Sequence, residues 1–138
     1  MYNEISMKFV SKRSNIAIIR NVISAIVLDN NPTITFINEL KTIVSEAITN
    51  CIVHGYDNQE DKYIDLKVVC DESKVSIEIE DYGKGIENIE QAKEPLFSTK
   101  SDEERSGLGF TIMEMFSNKL EVESTLGKGT RLYFEKNW

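Results

Sequence analysis

The sequence has few of the residues that build disulfide frameworks or zinc sites. Its 138 residues include two cysteines, Cys51 and Cys70, and one histidine, His54. Both cysteines lie inside apolar runs, and the sequence contains neither a CxxC pair nor a cysteine/histidine cluster. We therefore expect two small buried thiols in a protein of a reducing compartment, and no structural zinc site.

Long apolar runs are also missing. No stretch approaches the ~20 residues that a membrane span needs. Residues 1–13 alternate in character and carry charges, which is unlike a signal peptide. The sequence therefore predicts a cytoplasmic protein that has no contact with a membrane.

Basic residues are outnumbered by acidic ones, 16 to 23, so the net charge is -7 and the pI is ≈ 4.8. Such a chain is poorly suited to neutralising phosphates, so we expect no direct binding to nucleic acid. A protein partner with a basic surface would suit it better. The length and the 41% of hydrophobic residues indicate one domain over residues 1–138, with its own core.

Hydrophobic periodicity predicts strand pairs that alternate with helices. Strands are expected at 4–10, 63–70, 75–81, 120–124 and 130–136, and helices at 14–28, 34–53, 87–93 and 107–117. Ser14 is a candidate N-cap for the first long helix, and Thr33 or Thr35 for the second. This order predicts an α+β fold, a two-layer sandwich of a mixed, mostly antiparallel sheet covered on one face by helices.

Three polar residues interrupt the apolar second helix at four-residue intervals: Glu46, Asn50 and His54. Residues four apart share a helix face, so Glu46 and Asn50 point the same way. They lie beside the predicted core stripe of this helix, which consists of Leu40, Val44, Ala47, Ile48 and Cys51. A solvated helix edge is one interpretation. The other is a site in which the amide oxygen binds Mg²⁺ and the carboxylate acts as a general base. We interpret His54 as a structural residue at the helix end.

Glycine-rich stretches supply three further motifs. In "EDYGKGI" (80–86), Asp81 could accept from an exocyclic amine such as that of adenine, and Gly83 and Gly85 would let the backbone approach a planar base. In "RSGLGF" (105–110), Gly107 and Gly109 open a helix whose free N–H groups favour phosphate, with Lys100 and Arg105 nearby. In "TLGKGT" (125–130), the hydroxyl of Thr130 could join Asp81. Each motif alone is also compatible with an ordinary turn or loop.

Together, the order of "EAITNCIVHG", "DYGKG", "RSGLGF" and "GKGT" resembles the boxes of the GHKL ATPase/kinase superfamily. The likeness spans about residues 35–135. Within the superfamily, "VSEAITNCIVHGY" and "EPLFSTKSDEERSGLGFTIMEMF" resemble the small anti-sigma serine protein kinases of endospore-forming Firmicutes, of the sporulation (anti-sigma F) type. The resemblance implies the GHKL (Bergerat) ATP-binding fold.

The resemblance also implies roles for individual residues. Asn50 would coordinate Mg²⁺, Glu46 would be the general base, and Asp81 would accept from the adenine of ATP or ADP. Three sets of residues would complete the nucleotide site: Gly83, Gly85 and Thr130 at the base, Gly107 and Gly109 at the phosphates, and Lys100 and Arg105 at the outer phosphates. Residues 86–106 would form the ATP lid.

The partners that the resemblance implies are proteins. The chain would bind a sigma factor, phosphorylate an anti-anti-sigma factor on serine and form a homodimer through its apolar N-terminal segment. Arg20, an isolated charge in the first helix, is a candidate partner contact. The alternatives are a stress-response type of anti-sigma kinase, or a nucleotide-dependent anti-sigma binding module without kinase activity.

Overall fold

The computed structural model describes residues 2–93 and 109–138. Within these residues the chain forms five strands and four α-helices. They are β1 (Asn3–Val10), α1 (Asn15–Ile26), α2 (Ile34–Asn50), β2 (Tyr63–Cys70), β3 (Lys74–Asp81), α3 (Ile89–Ala92), α4 (Gly109–Phe116), β4 (Lys119–Thr125) and β5 (Gly129–Asn137). A 3₁₀ turn, Val27–Asn30, follows α1, and a π-helical turn, Cys51–Gly55, follows α2.

The strands form one sheet in the order β1-β2-β3-β5-β4. Each of its four pairings is antiparallel. The predicted α+β fold is confirmed, although the sheet of the described residues contains no parallel pair that would make it mixed. The order places β3 at the centre of the sheet, so the residue that ends β3 lies between two neighbouring strands.

Alternation along the strands separates a buried face of the sheet from an exposed one. On β2 and β3 every second side chain is buried, and β5 follows the same pattern from Leu132 to Lys136. The buried face packs against α1, α2 and α4, whose apolar stripes complete the core. The predicted stripe of the second helix is confirmed, since all of its members are buried: Leu40, Val44, Ala47, Ile48 and Cys51.

The two candidate N-caps behave differently. Thr33 caps α2, because its Oγ1 accepts from the Phe36 N–H at 3.0 Å. The prediction for Ser14 is wrong, since its side chain makes no capping hydrogen bond and its backbone is already helical. The N–H groups of Asn15 and Ile16 instead donate to the backbone carbonyls of Lys12 and Arg13, which leaves a cap little to satisfy.

Both cysteines are buried free thiols, as predicted. Burial raises the pKa of the Cys51 thiol well above its ordinary value and that of Cys70 to about 11. Among the described helices, none combines the length and the apolar character that a bilayer crossing requires.

Candidate functional site

A cavity of about 780 Å³ opens where α2 ends and β3 ends. Its walls come from the π-helical turn, the segment after β3, α3, the start of α4 and the β4–β5 hairpin. The predicted site residues on its wall are Asn50, Asp81, Gly85, Gly109 and Thr130. The fold therefore brings together four sequence motifs that are separated by up to 80 residues.

The π-helical turn shapes one wall of this cavity. The N–H of Tyr56 donates to the carbonyl of Cys51 at 2.9 Å, a five-residue span in place of the usual four. Such one-residue insertions are frequent at functional sites. The turn brings Cys51, His54 and Gly55 to the cavity wall. His54 thus lies at the helix end, as predicted, but also borders the cavity.

Asp81 is the buried carboxylate at the base of the cavity, with 3% of its surface exposed. Its Oδ1 accepts from the N–H of Gly83 at 2.9 Å. Burial raises the pKa of Asp81, while hydrogen bonds from Gly83, Cys51 and Thr130 partly oppose that rise. The oxygens of a buried carboxylate can accept from a neutral donor such as an amine.

The backbone packs closely around this carboxylate. A Cβ added to Gly55 would lie 2.8 Å from Asp81 Oδ1, and one added to Gly83 would lie 2.0 Å from the Gly55 carbonyl oxygen. The N–H of Lys84 donates to the same carbonyl at 3.0 Å. Gly83 thus packs against the backbone of Gly55, which lines the cavity. Gly85 itself lies on the cavity wall, with φ of +78°. Larger side chains cannot fit at Gly83 without moving the backbone.

Thr130 lies opposite Asp81 in the β3–β5 register and lines the cavity. Its hydroxyl is 2.8 Å from Ser124 Oγ, which also accepts from the Ile86 N–H at 2.7 Å. Ser124 therefore connects the β4–β5 hairpin to the segment that follows β3. This hydroxyl pair holds Thr130 beside the carboxylate.

Apolar side chains form much of the remaining wall. They are Ala47, Ile79, Ile86, Phe110, Leu126 and Leu132. An apolar slot with one buried acceptor at its end is the usual chemistry of a pocket for a planar, partly polar ring. We define Asp81, Gly55, Gly83 and Thr130 as the base end of the cavity, whose chemistry is compatible with a planar ring that carries an amine donor.

Asn50, the last residue of α2, also lines the cavity. Its Nδ2 is buried and has no hydrogen-bond partner among the described residues. Leaving a buried amide unsatisfied costs about 1–3 kcal/mol, so this group fits a site that a ligand completes. Glu46 lies one turn earlier on α2, half-buried and outside the set of wall residues.

The start of α4 lies near Asn50 on the same cavity. Gly109, the first residue of α4, is buried and lines the wall. Helix N-termini favour anions because their first N–H groups point outward. We define Asn50 and the α4 start as the phosphate end of the cavity. Lys100, Arg105 and Gly107, and residues 94–106 of the predicted lid, lie outside the described residues.

In the part of the chain that is described, no cluster of three or more His, Cys, Asp or Glu side chains could hold a metal ion by itself. Asn50 offers one amide oxygen, a hard ligand of the kind that Mg²⁺ prefers. Magnesium commonly takes one or two protein ligands and completes its shell with phosphates and water. The residues at the phosphate end thus fit an ion that arrives with a phosphorylated ligand.

Some residues of the site escape prediction from the sequence. Gly55 marks only a helix end in the sequence, yet it packs on Asp81, 26 residues later. Ser124 reads as an ordinary strand residue, and its bond to Thr130 follows from the hairpin register. Lys84 lines the cavity and pairs with Asp57 at 3.1 Å. The signal that could have identified Gly55 is a glycine that ends a helix in a chain that also carries a DxGxG motif.

Comparisons with known proteins identify the family of the chain. Residues 9–136 match the family model described as "Histidine kinase-like ATPase domain". The chain is 48% identical over 136 residues to the anti-sigma F factor of Clostridium beijerinckii, with 99% of this chain and 95% of the relative covered. It is 48% identical over 134 residues to the anti-sigma F factor of a Thermoanaerobacter species, with 97% of this chain and 93% of the relative covered.

A third relative comes from another genus. The anti-sigma F factor of Geobacillus thermodenitrificans is 43% identical over 137 residues, with 99% of this chain and 94% of the relative covered. The predicted resemblance is therefore confirmed, and membership of an ATPase domain family implies that the chain binds a nucleotide. The chain belongs to the anti-sigma F factor family, within the histidine kinase-like ATPase domains.

Proposed function

We propose that the protein is an anti-sigma factor with ATP-dependent serine kinase activity. It would bind and inhibit a sporulation sigma factor of the sigma F type in the cytoplasm. It would also phosphorylate, and so inactivate, the anti-anti-sigma factor that releases that sigma factor. The family membership supports the first activity, and the geometry of the cavity supports the second.

One observation carries the kinase proposal: the buried Asp81 and Asn50, with its unsatisfied Nδ2, line the same cavity. The base end is shaped for adenine, and the phosphate end offers an amide and a helix N-terminus. A nucleotide is the ligand that satisfies both ends at once. Gly107, Lys100 and Arg105 would add phosphate contacts from the segment before α4.

Asn50 and Glu46 have distinct roles in this proposal. Asn50 would hold Mg²⁺ through its amide oxygen, and its Nδ2 would donate to a phosphate oxygen. The metal ion would neutralise charge that develops on the transferred phosphoryl group. Glu46 lies about 6 Å along the helix from Asn50, given a rise of 1.5 Å per residue. It would accept the proton of the attacking serine hydroxyl.

The balance of charge supports a basic protein partner. The net charge of -7 suits a sigma factor, which must present basic surface to DNA and to the polymerase. Arg20 is exposed on α1 and is proposed as one contact.

Ile18 and Leu28 are 56% and 58% exposed on the same N-terminal segment, which supports a homodimer through that surface.

Transfer of labelled phosphate tests the kinase proposal. The protein is incubated with γ-labelled ATP, Mg²⁺ and an anti-anti-sigma factor of the sporulation type, and label on a partner serine is measured. Glu46→Gln should keep ADP affinity within about twofold and reduce transfer by ~10²-fold or more, because general-base catalysis contributes 10²–10⁴-fold. Glu90→Gln, an exposed glutamate on α3, is the matched control.

Two outcomes would contradict parts of the proposal. If label never reaches serine while the sigma factor still binds, the protein is a nucleotide-dependent binding module. If Glu46→Gln transfers at the normal rate, Glu46 is not the base. Direct competition between sporulation and stress-response sigma factors for the protein distinguishes the two anti-sigma branches.

A further inference from the structure

A buried lysine lies at the far end of the sheet from the cavity. Lys136, on the inner face of β5, is 7% exposed. Its Nζ donates to Glu39 Oε1 at 2.8 Å and to the Phe116 carbonyl oxygen at 2.6 Å. It also lies 5.1 Å from the ring centroid of Phe36. Lysine is almost never buried without partners, and the proposed function assigns this residue no role.

Lys136 joins two helices that are distant in sequence. Glu39 lies near the start of α2, and Phe116 is the last residue of α4. A cation at a helix C-terminus satisfies a terminal carbonyl and interacts favourably with the helix dipole. Lys136 therefore ties the C-terminal end of α4 to the N-terminal half of α2.

The opposite ends of the same two helices carry the phosphate end of the cavity. Asn50 ends α2, Gly109 begins α4, and both line the cavity wall. At 1.5 Å per residue, Asn50 is about 16 Å from Glu39, and Gly109 is about 10 Å from Phe116. The helices thus run antiparallel, with the lysine contacts at one end and the cavity at the other.

We propose that Lys136 is a positioning residue for phosphate recognition. By holding α4 against α2, it sets where the N–H groups at the start of α4 lie relative to Asn50. This proposal rests on the proposed function. The four residues that define the base end lie on β3, the segment after it, the π-helical turn and β5, and none of them lies on α4.

Calorimetric titration with two ligands separates the two ends. Each variant is titrated with Mg-ADP, which uses both ends, and with adenosine, which uses the base end. Lys136→Met keeps the buried chain and removes the charge. It should weaken Mg-ADP binding by about tenfold, the equivalent of one charge-assisted hydrogen bond, and leave adenosine within about twofold. Lys136→Arg should restore most of the ADP affinity, because it can keep both donor contacts.

Three other variants control the result. Glu39→Gln is the milder change. Like Lys136→Met, it should raise the ratio of the ADP dissociation constant to the adenosine dissociation constant. It therefore carries the test if Lys136→Met does not fold. Ile23→Val removes a buried methyl group from α1 and should lower the melting temperature without changing the ratio. Lys67→Met removes an exposed lysine and should change neither.

The outcomes distinguish this proposal from the proposed function. An unchanged ratio in the folded Lys136 and Glu39 variants would overturn the positioning role alone. The same would follow if Ile23→Val shifted the ratio, since general loss of stability would then explain it. If the wild-type protein bound neither Mg-ADP nor adenosine, the nucleotide site would be wrong and this inference would fall with it.

Discussion

The base end and the phosphate end of the cavity are built from different parts of the chain. Backbone atoms shape the base end, where Gly55, Gly83 and Asp81 approach each other so closely that an added Cβ would overlap. Side chains and a helix start shape the phosphate end, where Asn50 keeps a buried donor without a partner in the described structure. In the proposed function, one end is complete before a ligand binds, and the other would gain its hydrogen bonds from the ligand.

This difference assigns separate tasks to the two ends. A preformed backbone pocket loses little conformational entropy on binding and selects by shape. A group that the ligand must satisfy gives affinity that depends on the phosphates. Under the proposed function adenosine and Mg-ADP would probe different ends, and variants at each end should change one affinity more than the other.

The largest effect is expected for Gly83→Ala. The new Cβ would lie 2.0 Å from the Gly55 carbonyl oxygen, so the backbone beside Asp81 must move. We expect loss of about 3 kcal/mol of unfolding free energy or more, measured in urea, and no measurable adenosine binding. Gly127→Ala is the control, because φ there is +83° but the space is open. It should cost about 1–2 kcal/mol and keep adenosine binding.

If Gly83→Ala bound adenosine normally, the base end would be adaptable and the contrast with the phosphate end would disappear.

The next effect is expected for Asp81→Asn, which keeps the shape and removes the charge. Adenosine binding should weaken by ~10–100-fold, since hydrogen bonds to charged groups contribute about 1.5–3 kcal/mol. Inosine presents an oxygen in place of the amine, and the new amide can donate to it, so the preference for adenosine should narrow. Calorimetry with both nucleosides checks this. An unchanged preference would show that another group reads the amine.

At the phosphate end, Asn50→Ala should weaken Mg-ADP binding by about tenfold and leave adenosine unchanged. The unfolding free energy should stay equal or rise, because the buried unsatisfied Nδ2 is removed. Thr49→Ala is the neighbouring control, since its hydroxyl donates to the Ser45 carbonyl at 2.7 Å and not to the cavity. Equal loss of adenosine and Mg-ADP affinity in Asn50→Ala would contradict the division of tasks.

The smallest effect concerns the pH dependence of stability. Burial raises the pKa of Asp81, so the folded state binds this proton more readily than the unfolded state. The Asp81 contribution to stability should therefore fall as the pH rises from the ordinary aspartate pKa through the raised value. Asp81→Asn should be more stable than the wild type at neutral pH, with a gap that closes in acid.

Urea unfolding at neutral and acidic pH measures this gap. A variant that is less stable than the wild type at neutral pH would mean that hydrogen bonds to the carboxylate outweigh its burial.

Residue patterns predict the sheet well and the site in part. On β2 and β3 every second side chain faces the buried side of the sheet. Both strands therefore begin and end within one residue of the prediction. The Thr33 cap follows from local chemistry. The prediction for Ser14 failed because the chain enters α1 through a local backbone turn, whose carbonyls already accept from the first helical N–H groups. The π-helical turn depends on an insertion that no residue type specifies.

Within the site, the sequence motifs indicate which residues belong to the cavity. They do not predict the contacts that one motif makes with another. Asn50 stands out because it is a polar residue in an apolar helix, and Asp81 because it ends a strand directly before a glycine-rich turn. The approach of Gly55 to Asp81 and the bond between Ser124 and Thr130 depend on the packing of the π-helical turn and on strand register. Long-range register of this kind is set by the whole core.

Trp138 gives the molecule a built-in optical reporter. It is the single tryptophan, its indole N–H donates to the Asp71 carbonyl at 2.8 Å, and its ring lies 5.2 Å from that of Phe36. Phe36 is also the ring beneath the Lys136 ammonium group, so the fluorophore lies with Lys136, at the far end of the sheet from the cavity. Its emission therefore monitors whether events in the cavity are transmitted to the far end of the helix pair.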